Sequence, residues 1–250
     1  MLIAWCGALA IGLSLGLLGA GGSILTVPVL VYLVGQVDKV AIAGSLAIVG
    51  GVSLVGALPY IVQRRVDWRS VVLFGLPGMA GTYGGAYLAQ FVSGTFQLIV
   101  FGVLVVLASV LMIRPVPVQD SPSPPQAHWK ITAEGLVVGI ITGFVGVGGG
   151  FLIVPALVLL GGLSMHIAVG TSLLIITLKS FSGFYKYLAV LSALQLSLDW
   201  EVIGLFTVLG IVGSFAGSLV STRLPQHTLR RAFAGFLFVI GTSILWQNFS

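Results

Sequence analysis

The sequence predicts an all-α polytopic membrane protein made of two inverted repeats, each opening with a glycine-broken helical hairpin. Three observations carry that prediction. Hydrophobic residues fill 58% of the chain and charged residues only 7%, with a mean hydropathy of +1.15, whereas a soluble domain needs about 25% charge to cover its surface. Apolar stretches fall near residues 2–35, 38–62, 70–91, 95–113, 131–161, 165–190, 201–221 and 228–247, most of them matching the roughly 20 residues that cross a bilayer. The two halves of the chain also carry the same glycines in register.

The first stretch is too long for one crossing. Residues 2–35 as a single helix would reach roughly 50 Å, against a hydrocarbon core of about 30 Å. Gly19-Ala20-Gly21-Gly22-Ser23 interrupts it in the middle and Pro28 follows. The chain either runs as one long tilted helix or breaks at the glycines and turns back. Met1 to Trp5 contain no basic residue, so the stretch lacks the charged start of a cleavable signal and is expected to stay in the fold. Between the fourth and fifth stretches, residues 114–129 hold five of the ten prolines. That segment is expected to be an exposed linker between a first repeat, 1–113, and a second, 130–250.

The second half repeats the first. Gly12, Gly16, Gly19, Gly21, Gly22 and Pro28 recur 127 positions later as Gly139, Gly143, Gly146, Gly148, Gly149 and Pro155. At the same offset Ser45 meets Ser172, Gly56 meets Gly183 and Tyr60 meets Tyr187. After a five-residue insertion, Asp67-Trp68 matches Asp199-Trp200, and Gly78, Gly81 and Gly85 match Gly210, Gly213 and Gly217. Internal duplication of this kind characterises secondary transporters, whose substrate sites form between the repeats.

Basic residues decide between the two courses of the first and fifth stretches. If each of the eight stretches crosses once, Arg64, Arg65, Arg69, Arg114 and Lys130 face Lys39, Arg223, Arg230 and Arg231 across the membrane, which is no bias. If the first and fifth are hairpins, Lys39 alone stands opposite the other eight. Cytoplasmic loops carry the excess of Lys and Arg. The hairpin reading is therefore preferred, with inverted repeats, a cytoplasmic linker and both termini outside. The second arm of each hairpin is short and is expected to re-enter where protein or a water-filled cavity buries it.

The breaks, Gly19-Ala20-Gly21-Gly22 and Gly146-Val147-Gly148-Gly149-Gly150, are the first candidates for a site. Glycine permits positive φ and close approach, and a broken helix aims free N–H groups at an anion. The alternative is close packing of small residues, which is preferred for Gly78, Gly81, Gly85, Gly210, Gly213 and Gly217. In the sixth stretch Ser172, Lys179 and Lys186 are spaced by seven and share a helix face. A lysine inside a span costs about 2.5–3.5 kcal/mol and marks a pathway or ligand. Lys179 has Val52 as its counterpart, which suits one anion site; Lys186 either belongs to it or snorkels to the headgroups. Ser45, Thr171 and Ser172 either donate to an anion or bond carbonyls of their own helices. Asp67 and Asp199 read as N-caps, Trp68 and Trp200 as interfacial anchors. Glu134 reads as an interfacial charge or a proton-coupling acid.

Other functions fit poorly. The formal charge of +5 comes without a basic run or stripe, so nucleic acid is not an expected partner. Cys6 is the only cysteine and the three histidines lack metal-ligand spacing, so no metal or cofactor is expected. An intramembrane enzyme would need a nucleophile–base pair, a metal cluster or paired carboxylates within the spans, and none is spaced for it. An anion channel stays open, because channels are also duplicated.

The motif Gly143-Phe144-Val145-Gly146-Val147-Gly148-Gly149-Gly150 through Pro155 resembles the sulfite exporter TauE/SafE family. Gly16 to Pro28 repeats it with Ser23 at the last glycine, and Gly170-Thr171-Ser172-Leu173 resembles the family's Thr-Ser motif, which becomes Gly44-Ser45-Leu46 in the first half. The resemblance spans both repeats. It implies transport of sulfite, organosulfonates or related sulfur-containing anions across a bacterial inner membrane; a carrier of an unrelated small organic anion is the alternative. The expected partners are a small anion and lipid, with proton or ion coupling and a homodimer left open.

Overall fold

The computed structural model describes residues 2–113, 128–221 and 223–249; all but the last two residues of the expected linker, Arg114 included, lie outside them. The described residues are helical: α1 (Leu2–Leu18), α2 (Gly21–Pro28), α3 (Asp38–Gly56), α4 (Leu58–Val62), α5 (Trp68–Ser70), α6 (Leu76–Ala89), α7 (Gly94–Ile113), α8 (His128–Val145), α9 (Gly150–Pro155), α10 (Met165–Ala193), α11 (Trp200–Ser221) and α12 (Gln226–Phe249). Among the described residues, five stretches are long and apolar enough to cross a membrane: Asp38–Val62, Gly94–Met112, Met165–Ala193, Trp200–Ser221 and His227–Gln247. The protein is an all-α, multi-pass membrane protein.

The chain turns back at both breaks. A Cβ on Gly7 would stand 3.1 Å from Val29 Cγ1 and 3.9 Å from Leu33 Cδ1, while Gly22 packs on Ile11 and Leu15. Partners that separate along the chain on both sides of a turn define an antiparallel hairpin. Gly149 packs on Thr142 in the same way. Each returning arm loosens into a wider π-turn right after its proline, at Val29–Leu33 and Ala156–Leu160, where the ring removes an N–H and crowds the preceding turn. The apolar arms, Gly22–Leu33 and Gly150–Leu160, reach less than about 20 Å at about 1.5 Å per residue. They are too short to cross.

Packing is symmetric on exchange of the halves. α1 lies along α11 and α6 along α8, while the counterparts α3 and α10 pair with each other, as do α7 and α12. α3 and α10 run antiparallel, with Gly50 against Ser180 and Gly183 against Leu46. The close pairs are glycine seams: Gly213 and Gly217 meet backbone of Leu9 and Leu13, and Gly81 and Gly85 meet backbone of Leu136 and Ile140. With no aqueous phase to drive helices together, this approach supplies the packing energy. Gly81→Ala is therefore expected to lower the detergent melting temperature by several degrees, since overpacking costs about 1–3 kcal/mol. Gly84, three residues on, has nothing within 4 Å of an added Cβ. Gly84→Ala is expected to leave the melting temperature unchanged or raise it slightly, because alanine favours helix by about 1 kcal/mol.

The loops sort into two ends. Arg65, Ser164, His166 and Arg223 line one cleft. At the other end Gly94 packs on Asp38, and Lys39 Nζ donates to Ala89 O at 2.7 Å. Eight single crossings would put Arg65 and Arg223 on opposite sides, whereas in the structure the two line one cleft.

Candidate functional site

At the centre the two breaks meet. Gly19 has φ +71°, Gly146 +74° and Gly149 +83°, values that L-residues other than glycine rarely hold. A Cβ on Gly150 would stand 2.8 Å from Ala20 Cα and Cβ, so the starts of the two returning arms touch. Gly148 packs on Ser180, Val49 and Ile176. Ala20, Val147 and Phe151 are fully buried. The first amides of each arm have no intrahelical acceptor and sit at the positive end of the helix dipole. Of the glycines singled out from the sequence, Gly19, Gly146, Gly148, Gly149 and Gly150 build this junction, while Gly22 faces its own hairpin.

The serines that the sequence brought forward hold the breaks in place. Ser172 Oγ donates to Val169 O at 2.8 Å and lies 2.9 Å from Gly19 O. Ser45 Oγ donates to Ile42 O at 2.8 Å and lies 3.4 Å from Gly146 O. Each serine thus ties its own helix to the break of the other half, and its single proton is directed at carbonyls. Thr171 Oγ1 accepts from Asp67 N at 2.9 Å, which pins the loop before α5 to α10.

Two serines not singled out from the sequence have free hydroxyls. Ser53 and Ser180 are fully buried, and neither Oγ has a hydrogen-bond partner among the described residues. Ser180 Oγ stands 2.6 Å from where a Cβ on Gly148 would lie, directly over the second break. Ser53 is its counterpart at the 127-residue offset. That offset was the available signal.

Lys179 is 1% exposed and its Nζ has no hydrogen-bond partner among the described residues. The ammonium lies 5.9 Å from the centroid of the Phe74 ring, at the edge of cation–π range. Its Cδ would be 3.2 Å from a Cβ on Gly78, so the side chain fills the groove between α10 and α6. Val52 takes the matching place against Gly210. Lys179 therefore leaves α10 beside Ser180, but its close contacts are with the α6 arm. Lys186 Nζ lies over Tyr87 at 4.8 Å and Tyr83 at 5.7 Å. Asp67 accepts from Ser70 N at 3.1 Å, and Asp199 from Glu201 N and Val202 N at 3.1 Å; both are N-caps.

The end opposite the basic loops is closed by a buried polar network. Lys39 Nζ donates to Ala89 O and to Gln97 Oε1. Gln97 Nε2 donates to Phe144 O and, at 2.8 Å, to Tyr187 Oη. Lys39, Gln97 and Tyr187 are all buried, and they join α3, α6, α7, α8 and α10. Gln97 was legible as an isolated polar residue in the apolar stretch 95–113. Among the described residues no group of three or more His, Cys, Asp or Glu could hold a metal ion.

Comparison with known proteins agrees with this architecture. The family described as "Sulfite exporter TauE/SafE" matches residues 4–244. A "Probable membrane transporter protein" of Xylella fastidiosa (strain 9a5c) is 32% identical, over 96% of this chain and 93% of its own length. The "Probable membrane transporter protein YunE" of Bacillus subtilis (strain 168) is 27% identical over 93% of this chain and 92% of its own. The "Probable membrane transporter protein MJ0441" of Methanocaldococcus jannaschii is 22% identical over 94% and 91%. No solved structure matches the chain significantly.

Proposed function

The chain belongs to the sulfite exporter TauE/SafE family of membrane transporters, and from that premise we propose that it is a secondary carrier of sulfite, an organosulfonate or a related small sulfur-containing anion. The observation that carries this reading is the meeting of two glycine breaks beneath the Ser180 hydroxyl, which has no partner among the described residues. The amides of the returning arms offer donors to an anion at the positive ends of two helices, and Ser53 and Ser180 offer two more. Gly19, Gly21, Gly22, Gly146, Gly148, Gly149 and Gly150 supply the backbone of this site. Ser45 and Ser172 hold it in shape, Thr171 fixes the neighbouring loop, and Lys179 supplies positive charge from the adjoining groove.

Two repeats, 1–113 and 130–250, would lie inverted in a bacterial inner membrane, with the arginine-rich end cytoplasmic and both termini outside. The exchange symmetry of the packing and the antiparallel α3–α10 pair favour that arrangement, and the excess of Lys and Arg that the sequence gives the loops of one side sets its direction. Alternating access would then come from one repeat rocking against the other about the paired breaks.

A thermal-shift series on the detergent-purified protein tests the cargo class, with sulfite, thiosulfate, methanesulfonate, sulfate and chloride at matched ionic strength. A ligand bound only by the folded state raises the melting temperature with concentration, by an amount equivalent to about 2.7 kcal/mol at a hundredfold excess over Kd. Sulfite or the sulfonate is expected to give the largest shift, beyond that of sulfate or chloride, and to be taken up into liposomes. Equal shifts with all five anions would sink the assignment.

A further inference from the structure

The two ends of the molecule are built differently. At the end opposite the basic loops, Lys39 and Gln97 are buried in one network. Their counterparts in the second half are His166 and Leu229, which cannot form the same link. At that basic end the structure has instead a cleft of about 510 Å³, lined by Arg65, Ser164, His166, Ile167 and Arg223 among others. Small-molecule sites run from about 300 to 1,000 Å³.

The cleft's chemistry is that of an anion site. Arg65 Nη1 is buried without a hydrogen-bond partner among the described residues, and a guanidinium N–H can only donate. Arg223 brings a second guanidinium, and among the described residues no carboxylate lines the cleft. Asp67, two residues from Arg65, is turned to Ser70, accepting from its N at 3.1 Å and its Oγ at 2.5 Å. The 29-residue helix α10 begins at the same wall. Its N-cap Ser164 is extended (φ −63°, ψ 149°) and makes no side-chain cap, which leaves the amides of His166 and Ile167 without an intrahelical acceptor. His166 Nε2 lies 3.2 Å from Leu224 O; a carbonyl only accepts, so this nitrogen carries the proton and ties the Arg223 loop to α10.

We propose that this cleft is a second anion site, separate from the paired breaks, which takes up a small free oxyanion at the cytoplasmic mouth. Two guanidinium groups and a helix start suit a sulfur oxyanion in charge and in supplying only donors. Arg65 comes from the first half of the chain and the other groups from the second, so the site spans the boundary across which the halves would move. It rests on the reading of the cargo as an anion, but it makes a claim of its own about where anions bind first.

The test uses sulfate as a probe on the full-length protein in lipid-free detergent at fixed ionic strength, read by titration calorimetry. R65Q/R223Q is expected to weaken sulfate binding at least tenfold, with R65K/R223K in between, and G84A, where nothing lies within 4 Å of an added Cβ, is expected to leave it unchanged. In liposomes the same pair should raise the apparent KM for sulfite about tenfold while the maximal rate stays within twofold. Melting temperature without ligand checks folding, and R223Q alone serves if the double variant unfolds. Unchanged sulfate affinity in R65Q/R223Q overturns the site. So does retention of anionic phospholipid that is lost in R65Q/R223Q, with no sulfate bound by the lipid-free parent. If sulfite proves not to be cargo but sulfate still needs Arg65 and Arg223, the cleft stands and the cargo reading falls.

Discussion

Replacing Ser53 and Ser180 together by alanine is expected to make the protein more stable and a worse transporter. Both hydroxyls are buried without a partner, and an unsatisfied buried polar group costs about 1–3 kcal/mol. Alanine keeps the Cβ and deletes only the orphan oxygen, so the melting temperature of S53A/S180A should rise. The opposite holds for the anion. A hydrogen bond to a charged ligand contributes about 1.5–3 kcal/mol, so each lost hydroxyl weakens binding by roughly 10- to 150-fold. Flux of sulfite into liposomes should fall by at least tenfold, and the sulfite-induced thermal shift should shrink with the logarithm of the lost affinity. The same change at Ser45 and Ser172 predicts the reverse on stability. Their hydroxyls are bonded to Ile42 and Val169 and face the breaks, and S45A/S172A should melt earlier. A stabilised S53A/S180A with parental flux would place the cargo elsewhere.

The contrast between these two serine pairs shows how far the sequence alone reaches. Hydropathy and the glycine clusters make the helices and the breaks legible, because each depends on residues near in the chain. The distribution of eight basic residues separates a hairpin from a single crossing, and the cleft shared by Arg65 and Arg223 agrees with the hairpin. The choice between Ser45 and Ser53 is of another kind. Both have serine counterparts at the 127-residue offset, and they lie eight residues apart, about 80° around one helix. Which hydroxyl meets a carbonyl and which stays free depends on where the other half places its break. Lys179 is legible as an expensive residue, but its exit toward Phe74 and Gly78 is set by the packing of α6 on α10. The network at Lys39 and Gln97 joins positions 58 residues apart in the chain, and only the folded chain brings them together.

Lys179→Met should separate the cost of a buried charge from its use. Lys179 is 1% exposed, its Nζ has no hydrogen-bond partner among the described residues, and the ammonium lies 5.9 Å from the centroid of the Phe74 ring. Holding a cation there costs several kcal/mol after relaxation, and insertion scales put the charge at about 2.5–3.5 kcal/mol. Methionine matches the shape of the lysine stem and carries no charge, so K179M should unfold later, by about 2–4 kcal/mol on those figures. A neutral effect would mean that the ammonium is compensated in the folded protein. Stabilisation by anion reports on use. If the anion rests within reach of Lys179, it relieves part of that cost in the parent and none in K179M. The sulfite-induced thermal shift should then shrink in the variant even though its unliganded melting temperature is higher, because a ligand stabilises only through its affinity for the folded state. An undiminished shift, together with parental flux, would remove Lys179 from the anion's path and leave the junction of the two breaks as the site.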